Sequence, residues 1–151
     1  MEQVRYLFAD YAEAHQTKGN KLFHRMGIPL IVLTLLGMLA RVELGPIDLA
    51  LVLIAVATIY YFILDWRLAI PMLAVLVAFW WLGRLIPFWW NVAGQVLGWI
   101  FQFIGHSVYE HKQPKFLRNL THLLVGPLWI LNDVIPVVKP SDTATHSSPT
   151  P

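Results

Sequence analysis

The sequence contains no cysteine and few charged residues. Without cysteine, disulfide bonds and thiolate metal sites are excluded, so any bound metal must be held by histidine, carboxylate or backbone oxygen. Charged residues make up 13% of the 151 residues, against about 25% in a typical soluble domain. Because 57% of the residues are hydrophobic, the chain has too little polar surface for a globule in water. Composition therefore predicts an integral membrane protein.

The basic residues form no cluster, and the net charge is only +2. Because recognition of nucleic acid requires a concentrated basic face, we expect no nucleic-acid partner. The length allows a single domain. We predict one membrane-embedded catalytic domain at 1–138 and a disordered polar tail at 139–151, a segment rich in serine, threonine and proline.

The pattern of apolar stretches predicts an all-α polytopic membrane protein with about four transmembrane helices. Each of four stretches approaches the roughly 20 residues that cross a bilayer core. They are Gly27–Leu39, Leu49–Leu64, Leu68–Ile86 and Trp89–Ile104. An amphipathic helix at 3–24, with a possible break at Gly19, precedes them. The broken apolar stretch Leu117–Val138 predicts an interfacial or re-entrant helix.

The distribution of lysine and arginine predicts the orientation of these spans. If both termini are cytoplasmic, only Arg41 and Arg84 lie on the far side, and the other nine of the 11 basic residues face the cytoplasm. The short, compact chain favours a bacterial inner membrane. No ionisable residue lies in the middle of a predicted span, which argues against a transporter.

Five of the six histidines fall at the predicted cytoplasmic boundary. They are His15 and His24 before the first span, His106 and His111 after the fourth, and His122 on the broken helix. Helical spacing adds polar partners, because residues four apart share a face. Asn20 precedes His24 by four residues, Gln102 precedes His106 by four, and Glu110 follows His106 by four.

This grouping favours a metal site. Histidines with a carboxylate and no thiolate suit iron, manganese or zinc, and open positions at such a site allow ferrous iron to bind oxygen and an organic substrate. Two other interpretations stay open. A boundary histidine is often only an interfacial polar residue, as in a non-catalytic lipid-binding or scaffold protein, and a zinc-dependent membrane hydrolase would use the same donors. At the tight turn between the second and third spans, Asp65 and Arg67 are predicted to pair with each other.

Two runs of residues resemble a known family. The run from His15 to Pro29 (HQTKGNKLFHRMGIP) resembles a histidine–asparagine–histidine–Gly-Ile-Pro signature. The run from Gln102 to Pro114 (QFIGHSVYEHKQP) resembles a Gln-Phe-Ile-Gly-His segment followed by glutamate and proline. Together with the hydropathy of residues 6–135, they resemble the membrane-bound, iron-dependent 2-hydroxy fatty acid dioxygenases of fungi, plants and bacteria.

The resemblance implies Fe²⁺ as cofactor and O₂ as co-substrate. The substrate it implies is a 2-hydroxy long-chain fatty acid drawn from membrane lipid and shortened by one carbon in α-oxidation. Matching positions imply His15, His24 and His106 as metal ligands, with Glu110 as a further ligand or as a catalytic partner of an imidazole. Asn20 and Gln102, beside Lys21 and Arg25, are implied to hold the substrate. Relatives often carry other residue types at His111 and His122, so neither enters the implied ligand set.

Overall fold

The computed structural model describes residues 2–13, 16–110 and 121–138, and these are almost entirely helical. The helices are α1 Glu2–Glu13, α2 Lys18–Leu39, α3 Leu49–Leu64, α4 Trp66–Leu85, α5 Phe88–Ile104 and α6 Thr121–Val134, with a π-helical turn at Gly105–Glu110 directly after α5. Two antiparallel two-residue strands, β1 Glu43–Leu44 and β2 Ile47–Asp48, join α2 to α3. The all-α prediction is confirmed. The predicted tail at 139–151 lies outside the described residues.

The N-terminal segment differs from the predicted helix at 3–24. Helix α1 ends at Glu13, and α2 begins at Lys18. The hydroxyl of Thr17 accepts a hydrogen bond from the backbone N–H of Asn20 at 3.3 Å, which caps the start of α2. Gly19 therefore lies inside the first turn of a helix and does not break one. From this cap α2 runs without interruption into the first predicted span.

The turn between α3 and α4 is built on one aspartate. Asp65 caps α4 by accepting the backbone N–H of Arg67 at 3.0 Å, and its carboxylate pairs with the Arg67 guanidinium at 2.8 Å. The predicted pairing of these two residues is confirmed. Hydrogen bonding from the Arg67 side chain, together with its charge, lowers the pKa of the Asp65 carboxyl.

Within the described residues, α2 and α4 are the two helices long and apolar enough to cross a membrane. Helices α3 and α5 have 16 and 17 residues, or about 24 and 26 Å at 1.5 Å per residue. The bilayer core is about 30 Å thick. The structure thus gives apolar helices near all four predicted spans, while the number that crosses a membrane remains a prediction.

Helix α6 packs across one end of the bundle. Its Trp129 ring lies 5.3 Å from the ring of Tyr11 in α1, and its Leu124 carbonyl accepts a hydrogen bond from the Tyr61 hydroxyl of α3 at 2.9 Å. An ion pair of 2.8 Å joins Asp133 to Arg25 of α2. With 14 residues, α6 is about 21 Å long, shorter than a bilayer core.

Helices α2 and α4 touch backbone to backbone. A Cβ atom added at Gly83 would lie 2.7 Å from the Cα of Gly37 and 2.8 Å from the Leu33 carbonyl oxygen. Neither neighbour is the end of a movable side chain, so any side chain at this position must push the helices apart.

We expect Gly83→Ala to lower the thermal unfolding temperature in detergent, because overpacking of this kind costs about 1–3 kcal/mol. The control is Ala78→Leu, which adds more atoms at an exposed position of the same helix. Unfolding of Gly83→Ala at the wild-type temperature would contradict the tight α2–α4 contact.

Candidate functional site

Two histidines far apart in sequence face each other in the interior. His24 lies in the second turn of α2, and His106 lies in the π-helical turn after α5. Their Nε2 atoms are 3.1 Å apart, and their ring planes are nearly perpendicular, at 87°. The two residues are only 1% and 3% exposed. The pair therefore brings two nitrogen atoms close together in the protein interior.

Glycine at position 105 lets the π turn approach α2 closely. A Cβ there would lie 2.5 Å from Asn20 Oδ1 and 3.2 Å from His24 Nδ1. Immediately after this glycine, His106 enters the site from a π turn and not from the expected α-helix. Single π turns are rare in proteins, and those that occur often lie at functional sites. Sequence periodicity gave no signal of this turn.

The orientation of His24 follows from its second nitrogen. Its Nδ1 lies 3.0 Å from the backbone carbonyl oxygen of Asn20. A carbonyl can only accept, so Nδ1 carries the hydrogen and donates it. In the neutral imidazole, Nε2 then presents a lone pair toward His106. Metal-binding histidines commonly have this arrangement, with the remote N–H fixed by a carbonyl.

The geometry of the pair fits two ligands of one metal ion. Nitrogens about 2.1 Å from a common ion are 3.1 Å apart when the angle at the ion is about 95°. The same separation also suits a direct N–H···N hydrogen bond. Among the described residues, no group of three or more His, Cys, Asp or Glu side chains is arranged to hold a metal. His15, His111 and the side chains of Glu110 and His122 lie outside that description.

Asn20 and Gln102 are two further predicted site residues, and the structure buries both. Asn20 is fully buried beside Gly105. Gln102 lies one turn before His106 and is 4% exposed. Within the described part of the chain, its Nε2 atom is buried without a hydrogen-bond partner. A buried donor without a partner costs about 1–3 kcal/mol, so a ligand that accepts from it would be favoured.

Sequence reasoning missed the glycines that shape this interface. A Cβ at Gly27 would lie 2.5 Å from Gln102 Nε2, and one at Gly98 would lie 2.6 Å from the Ile31 side chain. The sequence does contain a pattern that indicates this interface. Gly94 and Gly98 form a small-xxx-small pattern, which favours close contact between helices. Arg25, a predicted substrate contact, instead pairs with Asp133.

Comparison with known proteins identifies the family of this chain. The family model described as 2-hydroxy-palmitic acid dioxygenase Mpo1-like matches residues 1–136. The chain belongs to the Mpo1-like family. It is 33% identical over 129 residues to the 2-hydroxy-palmitic acid dioxygenase MPO1 of Saccharomyces cerevisiae, an alignment that covers 80% of this chain and 73% of the yeast protein. No solved structure matches. The family predicted from the two runs is confirmed, and both histidines of the buried pair lie within the Mpo1-like match.

We expect Gln102→Leu to unfold at the wild-type temperature or above. Replacing Gln102 by an apolar group of similar size removes the desolvation cost of its unpaired Nε2 atom. The matched comparison is Asn91→Leu in the same helix, which loses hydrogen bonds from Nδ2 to the carbonyls of Gly83 and Ile86 at 3.0 and 3.2 Å and should unfold earlier. Thermal unfolding in detergent measures both. A large loss of stability in Gln102→Leu would show that the amide has a structural role.

Proposed function

We propose that this protein is an Fe(II)-dependent dioxygenase that shortens 2-hydroxy fatty acids by one carbon. The observation that carries the proposal is the buried His24–His106 pair, whose Nε2 atoms are 3.1 Å apart. Membership of the Mpo1-like family supports a 2-hydroxy fatty acid as substrate. With O₂ as the sole oxidant, RCH(OH)COOH + O₂ → RCOOH + CO₂ + H₂O balances in atoms.

His24 and His106 would hold the iron, together with His15 and Glu110 from outside the described side chains. Bound ferrous iron supplies the redox chemistry with O₂ that breaks the bond between C1 and C2. The Asn20 carbonyl holds the His24 ring in place through Nδ1–H at 3.0 Å. Gln102 offers a buried N–H donor to the carboxylate or hydroxyl of the substrate. These contacts would orient the reacting end and exclude water from it.

The membrane assignment is part of the same proposal. Four apolar side chains of α3 are exposed on one described surface: Val56, Ile59, Phe62 and Ile63. Contact with lipid explains such a patch, and exposed Trp89 and Trp90 at the start of α5 suit a membrane interface. Helices shorter than the bilayer core by about 4–6 Å are accommodated at modest cost. We propose that α2 to α5 span a bacterial inner membrane, with both termini and the histidine pair on the cytoplasmic side, as the lysine and arginine distribution favours.

Purified protein with Fe²⁺, O₂ and 2-hydroxypalmitate should yield pentadecanoate, measured by mass spectrometry, with one O₂ consumed per product. Turnover should stop under nitrogen, because O₂ is the oxidant. Turnover that continues without O₂ would indicate a hydrolase. Absence of both turnover and stoichiometric iron would favour a non-catalytic lipid-binding protein.

Anaerobically purified His106→Ala should contain much less iron than the wild type, because one of two facing nitrogen donors is lost. Elemental analysis per mole of protein measures this without relying on turnover. Ser107→Ala, at the exposed neighbouring position, is the control and should keep the wild-type iron content. Equal iron in His106→Ala and wild type would remove His106 from the ligand set.

A further inference from the structure

A large apolar cavity lies between α2, α3, α5 and α6, with Leu76 of α4 also in its wall. Its volume is about 410 Å³, and its wall is aliphatic or aromatic apart from Gln95. The polar groups at this wall bond within the protein. The Tyr61 hydroxyl donates to the Leu124 carbonyl at 2.9 Å, and the Gln95 amide lies 2.7 Å from the Thr34 hydroxyl. The cavity therefore suits a hydrocarbon ligand.

The cavity lies along the two helices that lead to the histidine pair. Ile31 in its wall follows His24 by seven residues on α2, and Trp99 in its wall lies on α5, which leads directly into the π turn that holds His106. Seven residues are about two turns of an α-helix, so His24 and Ile31 share a face of α2 at a separation of about 10 Å along the axis. Gln102, whose amide nitrogen has no hydrogen-bond partner within the described residues, lies on α5 between Trp99 and the π turn.

A second cavity of about 250 Å³ adjoins the first between α2, α4 and α6, and the two walls share Val32, Leu76 and Pro127. Met72 and Phe79 form part of its wall, and none of its lining residues comes from α5. It thus lacks a wall on the helix that leads to Gln102 and His106. The larger cavity has walls on both helices that form the site.

We propose that the 410 Å³ cavity holds the distal half of the substrate acyl chain and sets the chain length that the enzyme prefers. The inference rests on the proposed function, because that function puts the carboxylate end at the histidine pair. An extended chain advances about 1.2 Å per bond, a third of the rise of an extended peptide residue. The first eight bonds or so cover the distance to the cavity, and later carbons enter it. Each buried methylene favours binding by about fourfold.

Filling the cavity tests the inference. Ala57 is a small, buried residue in the α3 part of the wall. In iron-loaded protein, Ala57→Leu should raise KM for 2-hydroxypalmitate about 15-fold, equivalent to two displaced methylenes. It should leave kcat/KM for 2-hydroxyoctanoate unchanged, because that chain ends before the cavity. The matched control is Ala55→Leu on the exposed side of the same helix, which should change neither substrate. An equal effect of Ala57→Leu on both substrates, or no effect, would overturn the inference.

A variant that enlarges the cavity provides a second test, which holds even if Ala57→Leu misfolds. Leu53→Ala removes three carbons from the α3 wall and should shift the preference from 16 carbons toward longer 2-hydroxy acids. An unchanged ranking of chain lengths in a folded Leu53→Ala protein would also overturn the inference, whether or not Ala57→Leu folds.

Photo-crosslinking separates failure of the inference from failure of the proposed function. A 2-hydroxypalmitate analogue with a diazirine at C12 needs no turnover and is used under nitrogen. Labelling should fall on cavity residues such as Leu35 and Ile54 and be competed by 2-hydroxypalmitate. Labelling restricted to exposed residues such as Val56 and Ile59 would overturn the inference. If cavity labelling occurs while no 2-hydroxy acid is turned over, the proposed reaction fails and the binding site stands.

Discussion

Helices α2 and α5 meet along a line of small residues, and their closeness fixes the distance between the two histidines. A Cβ added at Gly98 would lie 3.2 Å from the Gly27 carbonyl oxygen, and one at Gly94 would lie 2.7 Å from the methyl of Thr34. In the membrane setting proposed above, where lipid removes the hydrophobic force between helices, close backbone packing of this kind would drive association. Because the contact continues to Gly105, the imidazoles converge through backbone placement. A side chain at one of these glycines would move the donors apart even though it touches no ligand.

Both ends of the helix bundle contain buried polar groups. At the end formed by the β1–β2 turn, Asp48 accepts from the Trp80 indole N–H at 2.9 Å, and Arg41 donates to the carbonyls of Arg84 and Ile86. These groups satisfy helix ends and turns, and among the described residues the Oδ1 atom of Asn91 at this end is buried without a partner. At the histidine end, the amide nitrogen of Gln102 has no partner within the described residues. A protein that keeps a buried donor unsatisfied loses stability, and such departures from local consistency are expected at functional sites.

Local sequence patterns predicted the positions of the helices well. They predicted poorly the features that depend on contacts between helices. The apolar runs predicted the ends of α3 and the turn at Asp65, because span length and capping chemistry act within a few residues. Asn20 and His24 were predicted on one face for the same reason. The π turn at 105–110 was not predicted, because it depends on contact between Gly105 and a helix about 80 residues earlier. The sequence predicted a break at Gly19, because glycine has a low helix propensity. In the structure α2 begins at Lys18, because the Thr17 cap outweighs that propensity. His15 and the Glu110 side chain stay predictions.

The stability of the site end does not come from its visible ion pair. Arg25 and Asp133 have side chains 54% and 32% exposed, and exposed pairs contribute only about 0–1 kcal/mol. Helix α6 is held instead by buried apolar side chains such as Val125 and Leu128 and by the hydrogen bond from Tyr61 to its backbone. Three residues of α6 also form part of the large cavity wall: Leu123, Leu124 and Pro127. Tyr61 and Leu124, which join α3 to α6 by a hydrogen bond, both stand in that wall, so the attachment of α6 and the enclosure of an apolar chain share this contact.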